Sequence, residues 1–427
     1  MLNWAGNHEY RCRRLHYPRS VHELQNLVRR SKLVRILGSR HSFNDIADCS
    51  EDIISLKQLD KAVRFDGIGT LNPTVTVEGG ITYAQLCHQL EGAGLALRNL
   101  ASLLDISVAG ACATATHGSG DRNPNLAAAV VAMKIVKATG DEVDVSRASV
   151  GESFDEMVVS LGALGAVTEL TLKLECSFEI RQEVYLNLPM NQMRNHFDEI
   201  TSRAYSVSLF TDLRSSNYNQ VWLKHRVGDE EPVACGTALY EAMPAATRMH
   251  PLAHLPAENC TEQMGIRGPW HERLSHFRAG FTPSNGVELQ SEYFVPRNYA
   301  LDAIDAIFGM RADIAPLLQI SEVRTIAQDD LLMSPCYKQA CVGIHFTWQR
   351  NLHAVMGILP KIEEQLAAFE ARPHWGKLFA MTGAELARLY GPRLTRFREL
   401  IDDFDPIGKF RNAFLDRCIF GSADGRI

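Results

Sequence analysis

Long hydrophobic runs are what this sequence most plainly lacks. Nowhere in its 427 residues does a stretch approach the roughly 18 apolar side chains of a membrane helix, so no membrane-spanning role is expected. Met1 to Arg13 carries charge where a secretory leader needs an apolar segment. The ten cysteines are scattered, with no CxxC pair and no tight framework, which argues for a reduced, cytoplasmic setting. Lysine and arginine number 44 against 50 acidic residues, for a net charge of -6, and they are dispersed. Nucleic-acid binding needs a concentrated positive surface, so it is discounted. Neither a GxSxG nor a GxxxxGK[ST] sequence occurs, which leaves hydrolase and kinase readings without support. His271 and His276 are spaced wrongly for an HExxH zinc helix and read as structural, ordering a loop over a pocket. No metal site, internal repeat or obligatory protein partner is evident.

What is present is ordinary globular composition, 46% hydrophobic and 22% charged, in a chain long enough for two or three domains and a bulky cofactor. Ser20 to Glu23 forms a capping box before Leu24, Leu27 and Val28 at helical spacing. Leu33 to Leu37 reads as a buried strand, and Thr74 to Glu78 as another. Thr82 to Gln85 opens a helix that should stop near Gly92. Val131 to Lys137 and Glu142 to Ser146 suit a hairpin around Thr139-Gly140-Asp141. Val167 to Leu174 closes this part, with a boundary soon after Glu175. Further on, Val287 to Phe294, Gln319 to Thr325 and Val342 to Trp348 are strand candidates. Ala300 to Met310 and His353 to Phe369 are helical, with Pro360 expected to kink or divide the second.

Gly38-Ser39-Arg40-His41-Ser42 follows a buried strand with small residues, a turn able to aim backbone N–H groups at a diphosphate. An ordinary strand-ending turn explains the pentapeptide equally well. A second small-residue run, Ser107 to Gly120, lets backbone lie against a flat ligand or a packed helix. Its Gly118-Ser119-Gly120 is followed by Asn123 where a dinucleotide fingerprint needs glycine, and it is not at the first strand-to-helix turn, so a nicotinamide Rossmann site is not expected.

Several collinear motifs carry a more specific likeness. They are Asn3-Trp4-Ala5-Gly6, Leu37 to Asn44, Ala101-Ser102-Leu103, Ile106 to Gly110 and Thr116 to Gly120, then Ser160 to Gly165, Glu288 to Tyr293 and Arg372 to Lys377. In their order the chain resembles the vanillyl-alcohol oxidase superfamily of FAD-linked enzymes, and within it the alditol (xylitol) oxidases. The resemblance implies FAD bonded to His41 through the 8α carbon of the flavin, with the protein orienting and tuning the ring. It implies a diphosphate wrapped by Ile36, Leu37, Gly38, Ser39, Arg40, His41 and Ser42. Ser102, Ser107, Gly110, Thr114, Ala115, Thr116 and His117 would line the ring and ribityl chain, Val167 the adenine side, and His374 the isoalloxazine. Two positions depart from relatives: Arg40, where glycine is common and a positive φ would strain arginine, and Leu104-Asp105, where Pro-His occurs. Cys112 is the nearest candidate for a second flavin bond, although a buried free thiol is the commoner fate.

Glu322 and Arg324 lie two apart in an expected strand, as do His345 and Thr347, and Glu288, Gln290 and Glu292, so each set shares a face. A solvated sheet face would explain any one pair. The resemblance assigns a polyol pocket to Ser102, Gln290, Glu322, Arg324, Thr347 and Lys377, with His345 beside them. The implied reaction moves hydride from C1 of an alditol to flavin N5 and passes electrons to O2, giving an aldose and H2O2. Lys377 is the candidate for activating the hydroxyl, with Arg324 lowering its pKa, and His345 is the rival base. The expected fold is α+β: an FAD-binding domain of two α+β halves (1–178), a substrate domain with an antiparallel sheet covered by helices (179–374), and a tail (375–427) returning to the first. The rival readings are an aldonolactone oxidase or dehydrogenase, and a non-catalytic sugar-binding flavoprotein.

Overall fold

The computed structural model describes residues 1–228, 238–280 and 288–421. Val287, the expected start of one strand, lies outside them. The chain opens with β1 (Arg14–His16), α1 (Val21–Arg30), β2 (Val34–Leu37) and β3 (Asp52–Ser55), the strands forming a parallel sheet in the order β1-β3-β2. Ser20 caps α1 by accepting from the Glu23 N–H at 3.2 Å, but the Glu23 carboxylate accepts from the Arg19 N–H instead, so half of the expected capping box forms. Leu24, Leu27 and Val28 are buried as their spacing requires.

A five-stranded antiparallel sheet follows, built from β4 (Ala62–Asp66), β5 (Thr74–Glu78), β6 (Val130–Val136), β7 (Glu142–Ser146) and β8 (Ala166–Lys173) in the order β4-β5-β8-β6-β7. Between β5 and β6 come α2 (Tyr83–Gly92), with both arms of its Thr82–Gln85 capping box made, and the short α3 (Val108–Ala113). The β6–β7 hairpin turns at Gly140, where φ is 81°.

The second large unit is a nine-stranded sheet. It contains β9 (Glu179–Pro189), β10 (Ser206–Thr211), β11 (Asn217–Arg226), β12 (Glu288–Pro296), β13 (Leu318–Ile326) and β14 (Cys341–Gln349). The central order is β9-β11-β10-β13-β14-β12, antiparallel throughout, with two-residue strands at the edges. Two helices, α4 (Ala300–Gly309) and α5 (Leu352–Leu366), cover one face. Strand alternation shows in neighbouring residues: Tyr293 donates to Glu363 of α5 at 2.7 Å, while Glu292 points to the opposite face. Pro360 does not divide α5; it sits on the exposed side, where water can take the carbonyl a turn earlier.

The segment after α5 packs back on the first unit. The Lys409 ammonium donates to the Val28 carbonyl at 2.7 Å, Val34 N–H donates to Lys409 O at 2.8 Å, and Phe410 sits in the core with Leu24 and Leu27. The large sheet is tied to the small-residue run where Gly120 N–H donates to Thr325 O at 2.9 Å. Gly120 has φ 128°, a region only glycine tolerates, and a Cβ there would collide with the Tyr205 carbonyl oxygen. Gly120→Ala is expected to cost about 3 kcal/mol, from strain of about 1–3 kcal/mol plus the backbone clash. Thermal unfolding of the purified variant checks it.

Candidate active site

Two adjoining cavities form one long cleft. The larger holds about 1600 Å³ of space free of protein atoms, part of it open to solvent, and the smaller about 710 Å³. Both are walled by the 36–39 stretch together with Ser107, Gly110, Ala113 and Gly162, so they are continuous along the loop after β2. An elongated ligand is the shape such a cleft accepts.

The loop is fixed from three sides. Trp4 N–H donates to Arg40 O at 2.8 Å, Asn3 donates to Ser42 O at 2.9 Å, and Phe43 N–H donates to Gly376 O at 2.8 Å. Asn44 donates to the carbonyls of Trp375 and Lys377 at 2.9 and 2.8 Å. Beneath it, Ser107 N–H donates to the Ser39 hydroxyl at 3.3 Å, and a Cβ at Gly38 would collide with the Ser107 side chain. Arg40 adopts φ 64°, the strained conformation that glycine would take without cost, and its side chain is exposed. The His41 ring lies 4.4 Å from the Trp4 ring, centroid to centroid. Burial, reinforced by the Lys377 charge, pushes its pKa down to about 4, so the imidazole is neutral and nucleophilic.

The opposing wall comes from β12, β14 and β13. Register places Glu292, His345 and Glu322 side by side, with Gln290 beside Thr347, so these side chains rise from one face. Glu292 is the hub. Arg324 donates to its Oε1 at 2.8 Å, Lys377 donates to its Oε2 at 2.6 Å, and His117 Nε2 lies 3.2 Å from Oε1. Although burial opposes ionisation, the Lys377, His117 and Arg324 charges hold the Glu292 carboxyl well below the usual range. Glu322 pairs with His276 at 2.8 Å and lies 3.5 Å from Arg324 Nε. Arg324 also reaches the Ser102 hydroxyl at 3.4 Å. His345 has no hydrogen-bond partner at either ring nitrogen, and burial holds its pKa well below the ordinary value. Lys377 is lowered first by burial; Arg324 adds to the lowering and Glu292 opposes it.

The cleft brings together nearly all the residues that the sequence singled out. Ser102, Gln290, Glu322, Arg324, His345, Thr347 and Lys377 line the larger cavity, with Ile36 to Ser42, Ser107, Gly110, Thr114, Thr116, His117 and His374. Val167 lines the smaller one. One of the residues singled out lies apart from the cleft. Ala115 lines neither cavity, because its φ of 53° turns the chain and buries the methyl. Cys112 faces Tyr83, at 3.9 Å from its hydroxyl, and burial pushes its thiol up to about 12, so it is no partner for a ligand in the cleft. Two residues were undervalued: Glu292, noted only as part of an alternating strand, and His276, read as structural although it lines the cavity against Glu322. No local motif marks His276, since its contact joins residues 46 positions apart. His117, Glu292 and His374 come within 4.8 Å of one another, a spacing a metal ion can bridge. Lys377 and Arg324 already place two cations on the Glu292 oxygens, which disfavours a further cation there.

The cleft suits FAD: two adjoining cavities give room for an elongated ligand, Gly38 opens the loop to close backbone approach, and His41 offers an uncharged nitrogen. Fold and cleft together fit an FAD-dependent oxidoreductase of the vanillyl-alcohol oxidase type. Residues 13–146 match the FAD binding domain family model, and residues 235–418 match that of D-arabinono-1,4-lactone oxidase. The chain is 47% identical over 423 residues to the alditol oxidase of a Streptomyces species, covering 99% of both proteins. It is 28% identical to the L-gulono-1,4-lactone dehydrogenase of Mycobacterium tuberculosis, with 98% of each covered. Among solved structures, a solvent-stable cholesterol oxidase superposes with a TM-score of 0.77 at 16% identity over 97% of this chain and 96% of that one, a likeness of fold. The chain belongs to the alditol oxidase family of FAD-dependent enzymes, oxidoreductases that act on a CH–OH group with oxygen as acceptor.

Proposed function

We propose that this protein oxidises the terminal primary hydroxyl of alditols such as xylitol or sorbitol to the aldose, with O2 reduced to H2O2 and FAD held covalently by His41. The observation that carries the reading is the polar wall itself. Ser102, Gln290, Glu322, Arg324, His345, Thr347 and Lys377 share one cleft with the His41 loop. A chain of hydroxyls needs donors and acceptors in alternation, and each polar group left unpaired costs about 1–3 kcal/mol. Glu322 accepts, Arg324 and Lys377 donate, and Ser102, Gln290 and Thr347 do either.

FAD, when bound, supplies the acceptor for the two electrons. The side chains manage the proton and the charge. Lys377 and Arg324 are balanced by the Glu292 and Glu322 carboxylates, so what meets a developing alkoxide is the Lys377 ammonium itself, whose N–H groups beyond the one given to Glu292 can donate to it. Lys377 thereby activates the substrate hydroxyl, and its tie to Glu292 fixes where the ammonium points. His345, uncharged and with both nitrogens free, is placed to take the proton. The division 1–178, 179–374 and 375–427 suits this scheme, with the first segment holding FAD and the second the substrate. No described helix is long and apolar enough to cross a membrane, and the free cysteines, mostly buried, fit a reducing cytoplasm.

The test is peroxide formation by the purified protein with xylitol or sorbitol, compared with L-gulono-1,4-lactone. Faster turnover of the lactone would replace the alditol reading with the aldonolactone one. Failure of every alcohol and lactone to bleach the flavin without air would leave a non-catalytic sugar-binding protein.

A further inference from the structure

Behind the cavity wall lies a lysine that the proposed reaction does not use. Lys224 of β11 is 1% exposed and does not line the cleft. It projects from the same sheet face as Glu322 and Arg324, since Lys224 pairs with Ser206 on β10 and Ser208 pairs with Arg324 on β13. Its ammonium has three partners: the Leu274 carbonyl at 2.6 Å, the Ser275 carbonyl at 2.7 Å and His276 Nδ1 at 3.2 Å. Carbonyls only accept, so two N–H groups are committed and the third points to the imidazole. His276 Nε2 in turn lies 2.8 Å from Glu322 Oε1.

Burial pushes the Lys224 pKa down to about 7, and below that pH, with the ammonium charged, the directions of these bonds are forced. Facing an ionised carboxylate, Nε2 must carry a hydrogen; facing a donating ammonium, Nδ1 must offer its lone pair. We propose that Lys224 is a positioning residue for substrate recognition: it locks His276 in the neutral Nε2–H tautomer, which orients Glu322 and keeps its Oε2 free to accept from a substrate hydroxyl. The inference rests on the alditol reading of the site. The charged groups facing the His276 ring are Lys224, Glu322 and Arg324. Its other neighbours are the rings of Phe210, Trp222 and Phe277, and Cys260 lies beside Lys224. Burial, aided by Lys224, pushes the His276 pKa down to about 4. Take away the ammonium and the imidazole, still beside Glu322, gains protons more readily.

The test compares wild type with Lys224→Met, which keeps the length of the side chain and removes its charge. In ¹⁵N-histidine spectra the His276 signals, assigned by their loss in His276→Gln, should report the neutral Nε2–H form in wild type at pH about 6, where Lys224 is charged and His276 is not. In Lys224→Met their titration should move to higher pH than in wild type. With xylitol, KM should rise about tenfold while kcat changes less, and kcat/KM should acquire the same titration. A wild-type His276 protonated on Nδ1, or a variant with unchanged spectra and KM, overturns the inference. If Lys224→Met does not fold, the reading passes to His276→Gln and His276→Leu. The amide can still donate to Glu322, so KM should rise at least tenfold further in the leucine variant, and equal values overturn the inference. The spectra need no substrate, so an enzyme that ignores alditols sinks the functional reading without deciding the tautomer.

Discussion

Lys377→Met should slow flavin reduction by an alditol by about 10²–10³-fold, the usual cost of removing one preorganised donor from a developing oxyanion, while flavin content stays near wild type. The separation of the two effects follows from where the bonds are. The loop that carries His41 is held by the Lys377 carbonyl, which accepts from Asn44, and by the Gly376 carbonyl, which accepts from Phe43. Neither involves the lysine side chain, whose ammonium is spent on Glu292 and the open cleft. Methionine fills the same space without charge, so the loop keeps its backbone partners. The pH profile should change as well. In wild type His345 is held neutral, first by burial and next by the Lys377 charge. Its protonation then lies below the working range, and the reduction rate should stay flat from pH about 8 to about 6. Without the ammonium the His345 pKa rises while burial still holds it down, so the variant should begin to lose rate at a higher pH than wild type does. Anaerobic stopped-flow measurement of flavin bleaching, with absorbance for flavin content, gives both readouts. Equal loss of colour and rate would make Lys377 a structural residue.

Much of this site was legible because strand periodicity is a local property. Glu322 with Arg324, and His345 with Thr347, sit two apart, and any strand there must put each pair on one face. The capped starts of α1 and α2 were legible for the same reason: Ser20 and Thr82 act on N–H groups three residues away. What was not legible depends on which strands become neighbours. Glu292 became the hub because β12 and β13 flank β14, and no spacing in the sequence sets that order. The edge strand β4 escaped notice because Val63, 52% exposed, breaks the alternation that marks a half-buried strand. The strain at Arg40 was anticipated as a condition, and its φ of 64° satisfies that condition.

His41→Ala should abolish attachment of the cofactor altogether. When wild-type protein is precipitated in acid, the yellow colour should stay with the polypeptide, and in the variant it should pass entirely to the supernatant. Binding itself should survive, because the cleft is shaped by backbone and small residues: Gly38, Ser39, Ser107 and Gly110 remain, as do the bonds from Asn3, Trp4 and Phe43 that hold the loop. Removing the ring leaves space beside Trp4, 4.4 Å away, and costs packing without disturbing those contacts. A bond to the ring also makes the flavin easier to reduce, so the variant should be reduced more slowly by alcohols, about tenfold for every 1.4 kcal/mol lost at the transition state. Such a bond requires the neutral imidazole that burial maintains here, since a protonated nitrogen has no lone pair to give. Should the colour remain with the alanine polypeptide, another nucleophile makes the bond. Cys112 is poorly placed for that role, being turned toward Tyr83 with its thiol pushed up to about 12. That outcome would remove His41 from the chemistry while leaving the polar wall intact, so attachment and substrate recognition stand or fall by separate measurements.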